Sequence, residues 1–379
     1  MSCAWRCTTK LHSMAKTTRN PSIPRAIEPM EARLVEELPT EPGWQFEPKW
    51  DGFRCLAFRA GDRVELQAKS GKSLARYFPE VVSRLRAIPA THFVVDGELA
   101  IPVGPSLSFD ALQMRLHPAE SRIRKLSAES PALFMLFDML YAPGGVSLIA
   151  QPLHTRRAAL EEFFSTLKGQ HGLVLTPCTR RRAEAQKWLD RAGGALDGVV
   201  AKAIDGPYVP GERAMLKVKR MRTADCVVGG FRYGAASKEV GSLLLGLYND
   251  EGLLDHVGFT SSIRAEERKE LTRRLRKLEG GSGFTGNAPG GPSRWSTERS
   301  TQWQALDPQL VVEVCYDHVT ADRFRHGTKL LRWRPDKAPR QCTFEQLGRE
   351  ARPARLITKL LRATALDSAS RAPDLRPRA

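Results

Sequence analysis

Short apolar blocks, not helical stripes, dominate the chain from about residue 46 to 101. FRCLAF (53–58), RVELQAK (63–69) and HFVVDGELAI (92–101) are each bounded by Gly, Asp or Pro and are predicted strands. ALFMLFDML (132–140) and DGVVAKAI (197–204) add two more. Apolar residues recurring at three and four predict helices over SLARYFPEVVSRLRAI (73–88) and LHTRRAALEEFFSTL (153–167). This is an α+β domain, expected over 25–221. The character changes after AMLKVKRMRTADCVVGG. Strands are predicted at DCVVGGFRYG (225–234), VGSLLLGLYND (240–250), LLDHVGFTS (253–261) and QLVVEVCYDHVT (309–320). A charged helix (264–279) and the Gly/Pro-rich loop GGSGFTGNAPGGP (280–292) interrupt them. A small β-barrel over 222–349 is expected, with a hinge at 220–223.

With 379 residues the chain has room for two cores. Its 59 Lys+Arg against 42 Asp+Glu give a formal charge of +17, which attracts polyanions, nucleic acid first among them. A membrane is disfavoured, because no segment approaches the roughly 20 apolar residues that span a bilayer. The seven cysteines, at 3, 7, 55, 178, 226, 315 and 342, form no CxxC and no Cys/His cluster. They are expected to be reduced thiols in a cytoplasmic protein without zinc. Residues 1–24 are basic and lack an apolar run, so they read as a tail and not a signal peptide, with Met14 as an alternative start. Residues 350–379 read as a basic tail that carries one short helix, RLITKLLRATAL (355–366).

Gly281, Gly283 and Gly286 satisfy G-x-G-x-x-G but follow a charged helix instead of a strand, so a dinucleotide site is not expected there. A Walker A motif is absent too. The polar landmarks lie on strands. Asp96 and Glu98 in VVDGELAI are two apart and share a strand face, as a solvated turn or as paired acids at a cleft. Asp197 and Lys202 in DGVVAK offer an acid and a cation, and Lys217 and Lys219 in MLKVK share a face opposite Val218. Phe137 fits a core position or a base-stacking one. Together with Lys49 in EPKWDGFR, the inventory suits nucleotidyl transfer: one nucleophile, phosphate-binding lysines and metal-binding acids. Lysine attacks phosphorus only as the neutral amine, which neighbouring cations or desolvation favour.

KWDGFR, VDGEL, LFDML, DGVVAK, LKVK and RWRPDK together resemble, in order, the motifs of the ATP-dependent polynucleotide ligases. That family lies within the lysine nucleotidyltransferase superfamily. The resemblance runs from about 45 to 340 and is nearest to compact bacterial DNA ligases of the LigC type, akin to the ligase module of end-joining enzymes. It implies a nucleotidyltransferase domain with ATP-grasp-like antiparallel sheets, followed by an oligonucleotide-binding (OB) fold. Lys49 would carry AMP; Glu47 would read the adenine amino group; Phe137 would stack on the base. Arg54 would meet the ribose and then the nick, and Lys69 the 5′-phosphate. Glu98 would serve ribose and metal. Asp197, shorter by one methylene than the glutamate usual in the family, would bind metal, by a contact that suits an intervening water. Lys202, Lys217 and Lys219 would engage phosphates, and Arg334, Asp336 and Lys337 would close over ATP. The implied cofactors are ATP and Mg2+ or Mn2+. The implied partner is nicked duplex DNA, bound by a monomer at the bacterial nucleoid during repair. A large amino-terminal DNA-binding domain and a fused polymerase or nuclease are not expected. An RNA ligase, a capping-type enzyme and a non-catalytic nucleic-acid binder are the rival readings; intact Lys49, Glu98 and Lys219 argue against the last.

Overall fold

The apolar blocks of the first part pair into two sheets. The computed structural model describes residues 23–347 apart from 105, 168–170, 191–195, 291–301 and 321. Both expected tails, and the helix expected over 355–366, lie outside the described residues except for 23 and 24. One sheet has the strand order Ala32–Leu34, Met215–Lys219, Leu196–Ala203, Trp44–Trp50. The other runs Leu173–Leu175, Leu133–Ala142, His92–Ala100, Phe53–Ala60, Arg63–Ala68. Each sheet carries one parallel edge strand, at Ala32–Leu34 and at Leu173–Leu175, where all-antiparallel sheets were expected. The second edge follows from connectivity: the helix Leu153–Ser165 intervenes between Leu133–Ala142 and Leu173–Leu175, and a crossover of this kind delivers a parallel strand.

That helix buries Leu153, Arg156, Arg157, Leu160 and Phe163 against the second sheet. Arg156 and Asp138 are each 1% exposed and form a two-point ion pair at 2.9 and 3.1 Å. Removing Arg156 would strand a buried carboxylate, at about 3–5 kcal/mol. The helix expected over 73–88 is divided: a 3-10 turn, Ala75–Tyr77, precedes the helix Pro79–Arg86, because Pro79 suits a first helical position and not an interior one. The charged segment divides likewise, into a 3-10 turn Ala265–Glu267 and a helix Arg268–Arg276. Three further helices, Phe109–Arg115, Glu120–Glu129 and Arg182–Asp190, each bury only one or two side chains, too few to leave a periodic signal.

A third sheet, all antiparallel, has the order Leu254–Thr260, Val240–Tyr248, Arg222–Tyr233, Val311–Tyr316, Lys329–Trp333. Its outer strands meet again where Thr260 Oγ1 donates to the Thr328 carbonyl at 2.8 Å, so the sheet curls back on itself. Its core draws on residues 224–347, whereas the core clusters of the first two sheets draw on 27–218.

Two irregularities re-aim side chains that regular pairing would send elsewhere. In the pairing with Trp44–Trp50, Leu196 faces Trp50 and Gly198 faces Lys49, which leaves Asp197 as the extra residue of a bulge. In the pairing with His92–Ala100, Asp138 faces Asp96 and Leu136 faces Gly97, which leaves Phe137 as the extra residue. Bulges bend the strand locally and turn the unpaired side chain out of the regular alternation. Gly198 makes the first bulge possible: its φ is +152°, and a Cβ there would lie 2.0 Å from the Val218 carbonyl oxygen. Gly52 serves the adjacent turn, since a Cβ there would lie 2.2 Å from the Leu99 carbonyl oxygen. Gly198→Ala should therefore cost roughly 2–3 kcal/mol in urea unfolding; a midpoint equal to wild type would contradict this account of the bulge.

Candidate active site

Lys49 sits one residue from the end of its strand, shortly before the Asp51–Gly52 turn, and opens into a cavity of about 830 Å3 between the first two sheets. Glu47, Val200, Lys202 and Lys217 line it from one sheet, and Arg54, Glu98 and Phe137 from the other. Lys49 Nζ lies 2.5 Å from Asp197 Oδ2, and Lys219 Nζ lies 3.2 Å from the same oxygen. Burial opposes the ionised form of Asp197, but Lys49 and Lys219 outweigh it and hold the carboxyl below its ordinary range. Burial, then Lys49, Lys219 and Lys69, hold Lys217 below the usual lysine range. Burial works against the charge of Lys219, yet Asp197 and Asp317 raise it overall.

Glu98 faces Arg54 in register across the strand pair. Burial pushes its carboxyl up to about 8, against the pull of Lys49 and Arg54. Asp96, its expected companion at the cleft, is fully buried and turned away from the cavity. It holds Arg54 instead, through Nε at 2.7 Å and Nη2 at 2.6 Å. The guanidinium so held stacks 4.9 Å from the centre of the Phe137 ring.

Beside the same ring, Lys202 Nζ lies 2.7 Å from Glu47 Oε2 and 4.6 Å from the centre of Phe137. Gln45 Nε2 donates to Glu47 Oε1 at 2.8 Å. Lys202, expected among the phosphate ligands, is thus only 4% exposed and placed with the base-reading candidates Glu47 and Phe137. The strand alternation predicted its face but had no means to predict its partner. Lys69 pairs with Glu31 at 2.9 Å at the cavity wall.

Arg334 and Lys337 are not brought to the cavity. They pair with Asp225 at 2.8 and 2.9 Å, and Asp336 pairs with Arg334 at 2.8 Å. A different segment of the third-sheet unit reaches the site. Asp317 lies 2.7 Å from Lys219, and His326 3.1 Å from Asp317. Arg325 Nη1 donates to both oxygens of Asp51 at 2.5 and 2.6 Å, its guanidinium 3.4 Å from the centre of the Phe109 ring. His318 lies 3.6 Å from Asp51. The DHVTADRFRH stretch held no spacing signal for these contacts, which arise only when the two units meet. Among the described residues no group of three or more His, Cys, Asp or Glu is placed to hold a metal. The five described cysteines are free thiols, and no described helix is long and apolar enough to cross a membrane.

A lysine held by a carboxylate, with an aromatic and an acid on one side and further cations on the other, is a layout that suits a nucleotidyl-transferring enzyme. Residues 14–219 match the ATP dependent DNA ligase domain, and residues 236–337 match the ATP dependent DNA ligase C terminal region. DNA ligase C1 of Mycolicibacterium smegmatis is 44% identical over 332 residues, which cover 85% of this chain and 93% of that protein. DNA ligase C of Mycobacterium tuberculosis is 41% identical over 339 residues, covering 85% of this chain and 94% of that one. A solved Lig E DNA ligase, 17% identical with a TM-score of 0.53, covers 82% of this chain and 100% of that chain and is similar in fold. The chain belongs to the ATP-dependent DNA ligase family and is an ATP-dependent DNA ligase related to the LigC enzymes.

Glu98 gives this site a pH signature. An acid whose folded value is about 8, against an ordinary 4.5, binds its proton in the folded state while the unfolded chain has already lost it. Stability then falls as pH rises through that window. Glu98→Gln should therefore gain stability over wild type more strongly at pH 8 than at pH 5, read as melting temperature in a pH series. Parallel melting curves for the two proteins across that range would contradict the burial of Glu98.

Proposed function

We propose that Lys49 is the nucleophile that takes AMP from ATP and hands it to the 5′-phosphate of a nick. The observation that carries this is the Lys49 amine, 2.5 Å from Asp197 and inside a cavity shared with Glu98, Arg54 and Lys217. Attack forms a P–N bond to the α-phosphorus and breaks the bond to pyrophosphate, and the amine sheds its proton. Lys217 and Lys219 stabilise the charge that builds on the phosphates. Glu47 accepts from the adenine amino group, Phe137 stacks on the base, and Lys202 neutralises Glu47 from beside it. Arg54 orients the ribose and later the nick, and Lys69 meets the 5′-phosphate. The nick phosphate then accepts AMP, and the 3′-hydroxyl displaces AMP to close the backbone.

Glu98 and Asp197 would hold Mg2+ or Mn2+ together with oxygens of the nucleotide, since Mg2+ is commonly bound by one or two carboxylates plus substrate phosphates. Such an ion supplies charge stabilisation at the α-phosphate. Glu98 lines the cavity and Asp197 adjoins it through Lys49, with the nucleotide completing the ligand set.

The division of labour follows the cores. Residues 25–221 form the adenylation domain and 222–349 an OB-fold domain, a reading supported by the separate cores and by the sheet that curls back at Thr260 and Thr328. The segment 220–223 is the hinge. With Arg334 and Lys337 turned to Asp225, and Asp317 and Arg325 turned to the cleft, the arrangement seen here suits the sealing half of the cycle. Covering ATP requires the OB-fold domain to turn the Arg334–Lys337 segment inward. Nick sealing in DNA repair, by a monomer at the nucleoid, is the cellular role we propose; the +17 charge supports the DNA contact.

Incubation with α-labelled ATP and Mg2+, followed by nicked DNA, tests the scheme. Wild type should form a protein adduct that is stable in alkali and labile in acid, as a P–N bond requires, and pass the label to DNA. Lys49→Ala should form no adduct. An adduct that survives Lys49→Ala would sink the nucleophile assignment.

A further inference from the structure

Arg54 enters the cavity from a ring of hydrogen bonds that closes through a residue far away in the chain. Tyr208 Oη donates to Asp96 Oδ2 at 2.8 Å, and Asp96 grips Arg54 by two bonds. Arg54 Nη2 in turn donates to the Met30 carbonyl at 3.2 Å, and the Met30 N–H donates back to Tyr208 Oη at 2.9 Å. Asp96 and Tyr208 are 0% and 2% exposed, so no solute reaches them. Among the charged side chains of the ring, Arg54 alone lines the cavity.

The loop that brings Tyr208 to this place is tied down along its length. Tyr208 N–H donates to the Ile149 carbonyl at 2.9 Å. Leu153 N–H and Arg156 Nη1 both donate to the Gly206 carbonyl, at 3.0 Å each. Arg156 also stacks 5.8 Å from the centre of the Tyr208 ring while it neutralises Asp138. Asp138 and Asp96 lie directly opposite each other on neighbouring strands, where like charges repel. Each buried carboxylate therefore needs its own cation and its own donors. A phenol is a donor at neutral pH, and its hydroxyl also fixes the plane in which Asp96 presents its two oxygens to Arg54.

We infer that Tyr208 is a positioning residue for ligation: through Asp96 it sets where the Arg54 guanidinium stands over Phe137 and in the cavity. This rests on the proposed role of Arg54 at the ribose and the nick. Without the hydroxyl, Asp96 Oδ2 keeps one donor, the Met30 N–H loses its acceptor, and the guanidinium loses its fixed plane. A displacement of about 1 Å at such a group costs up to about a hundredfold in rate.

The test is a double-mutant cycle on the full chain with Tyr208→Phe, Arg54→Ala and the double variant. Single-turnover sealing of nicked DNA is measured from preformed enzyme adduct, with kcat and KM for nicked DNA and urea unfolding alongside. Tyr208→Phe should lower kcat about tenfold and leave KM near wild type. In the Arg54→Ala background it should cost nothing further. Replacing Tyr208 with 4-aminophenylalanine restores a donor at the same point and should recover most of the rate; it also serves if Tyr208→Phe does not fold. Wild-type sealing by Tyr208→Phe, an equal loss in both backgrounds, or a folded 4-aminophenylalanine variant no faster than Tyr208→Phe would each overturn the inference. Full sealing by Arg54→Ala would instead remove the role of Arg54 on which it rests.

Discussion

One carboxylate, Asp197, shared by two lysines is the contact around which the cleft is organised. Lys49 and Lys219 approach the same oxygen at 2.5 and 3.2 Å, with Lys217 and Lys69 in the same neighbourhood. Unit charges 4 Å apart interact by about 4 kcal/mol at the effective dielectric typical near a protein surface. Cations gathered so closely need an anion among them. Asp197 reaches that place only because a bulge turns it out of the strand alternation, and the bulge stands only because Gly198 has no side chain.

The same row of charges links the two units. Lys219 is the last residue of its strand and holds Asp197 on one side and Asp317 on the other. Asp51, two residues after Lys49, receives Arg325 from the second unit. The residues that flank Lys49 therefore sense whether the second unit is seated. In a ligase that must first bind ATP and then grip a nick, this couples the position of that unit to the charge of the site. Under the proposed role of Lys219, ATP phosphates and Asp317 would compete for one ammonium group.

Much of this was legible before folding, and the parts that were not share a cause. The strand blocks, the acids and lysines on them, and the order of the motifs stood in the sequence because strands repeat every two residues and catalytic groups sit on their ends. Alternation names a face, not a partner. So alternation puts Lys202 on a face but not against Glu47, and it puts Asp96 beside Glu98, at a solvated turn or a cleft, but not in the grip of Arg54. The bulge at Phe137 has no local signature, and the one at Asp197 is marked only by the glycine beside it. Tyr208, Gln45, Asp317 and Arg325 act across long separations and appear only when the sheets and the two units meet. Three short helices leave no periodic signal because each buries too little to repeat.

The shared carboxylate is tested most directly by the rate of adduct formation in Asp197→Asn and Asp197→Glu, measured with labelled ATP in rapid quench. Asp197→Asn keeps the shape and removes the charge, and should slow the step about a hundredfold. Asp197→Glu keeps the charge and should stay within about tenfold of wild type. A wild-type rate in Asp197→Asn would show that the two lysines need no carboxylate between them, and the account would be wrong at its centre.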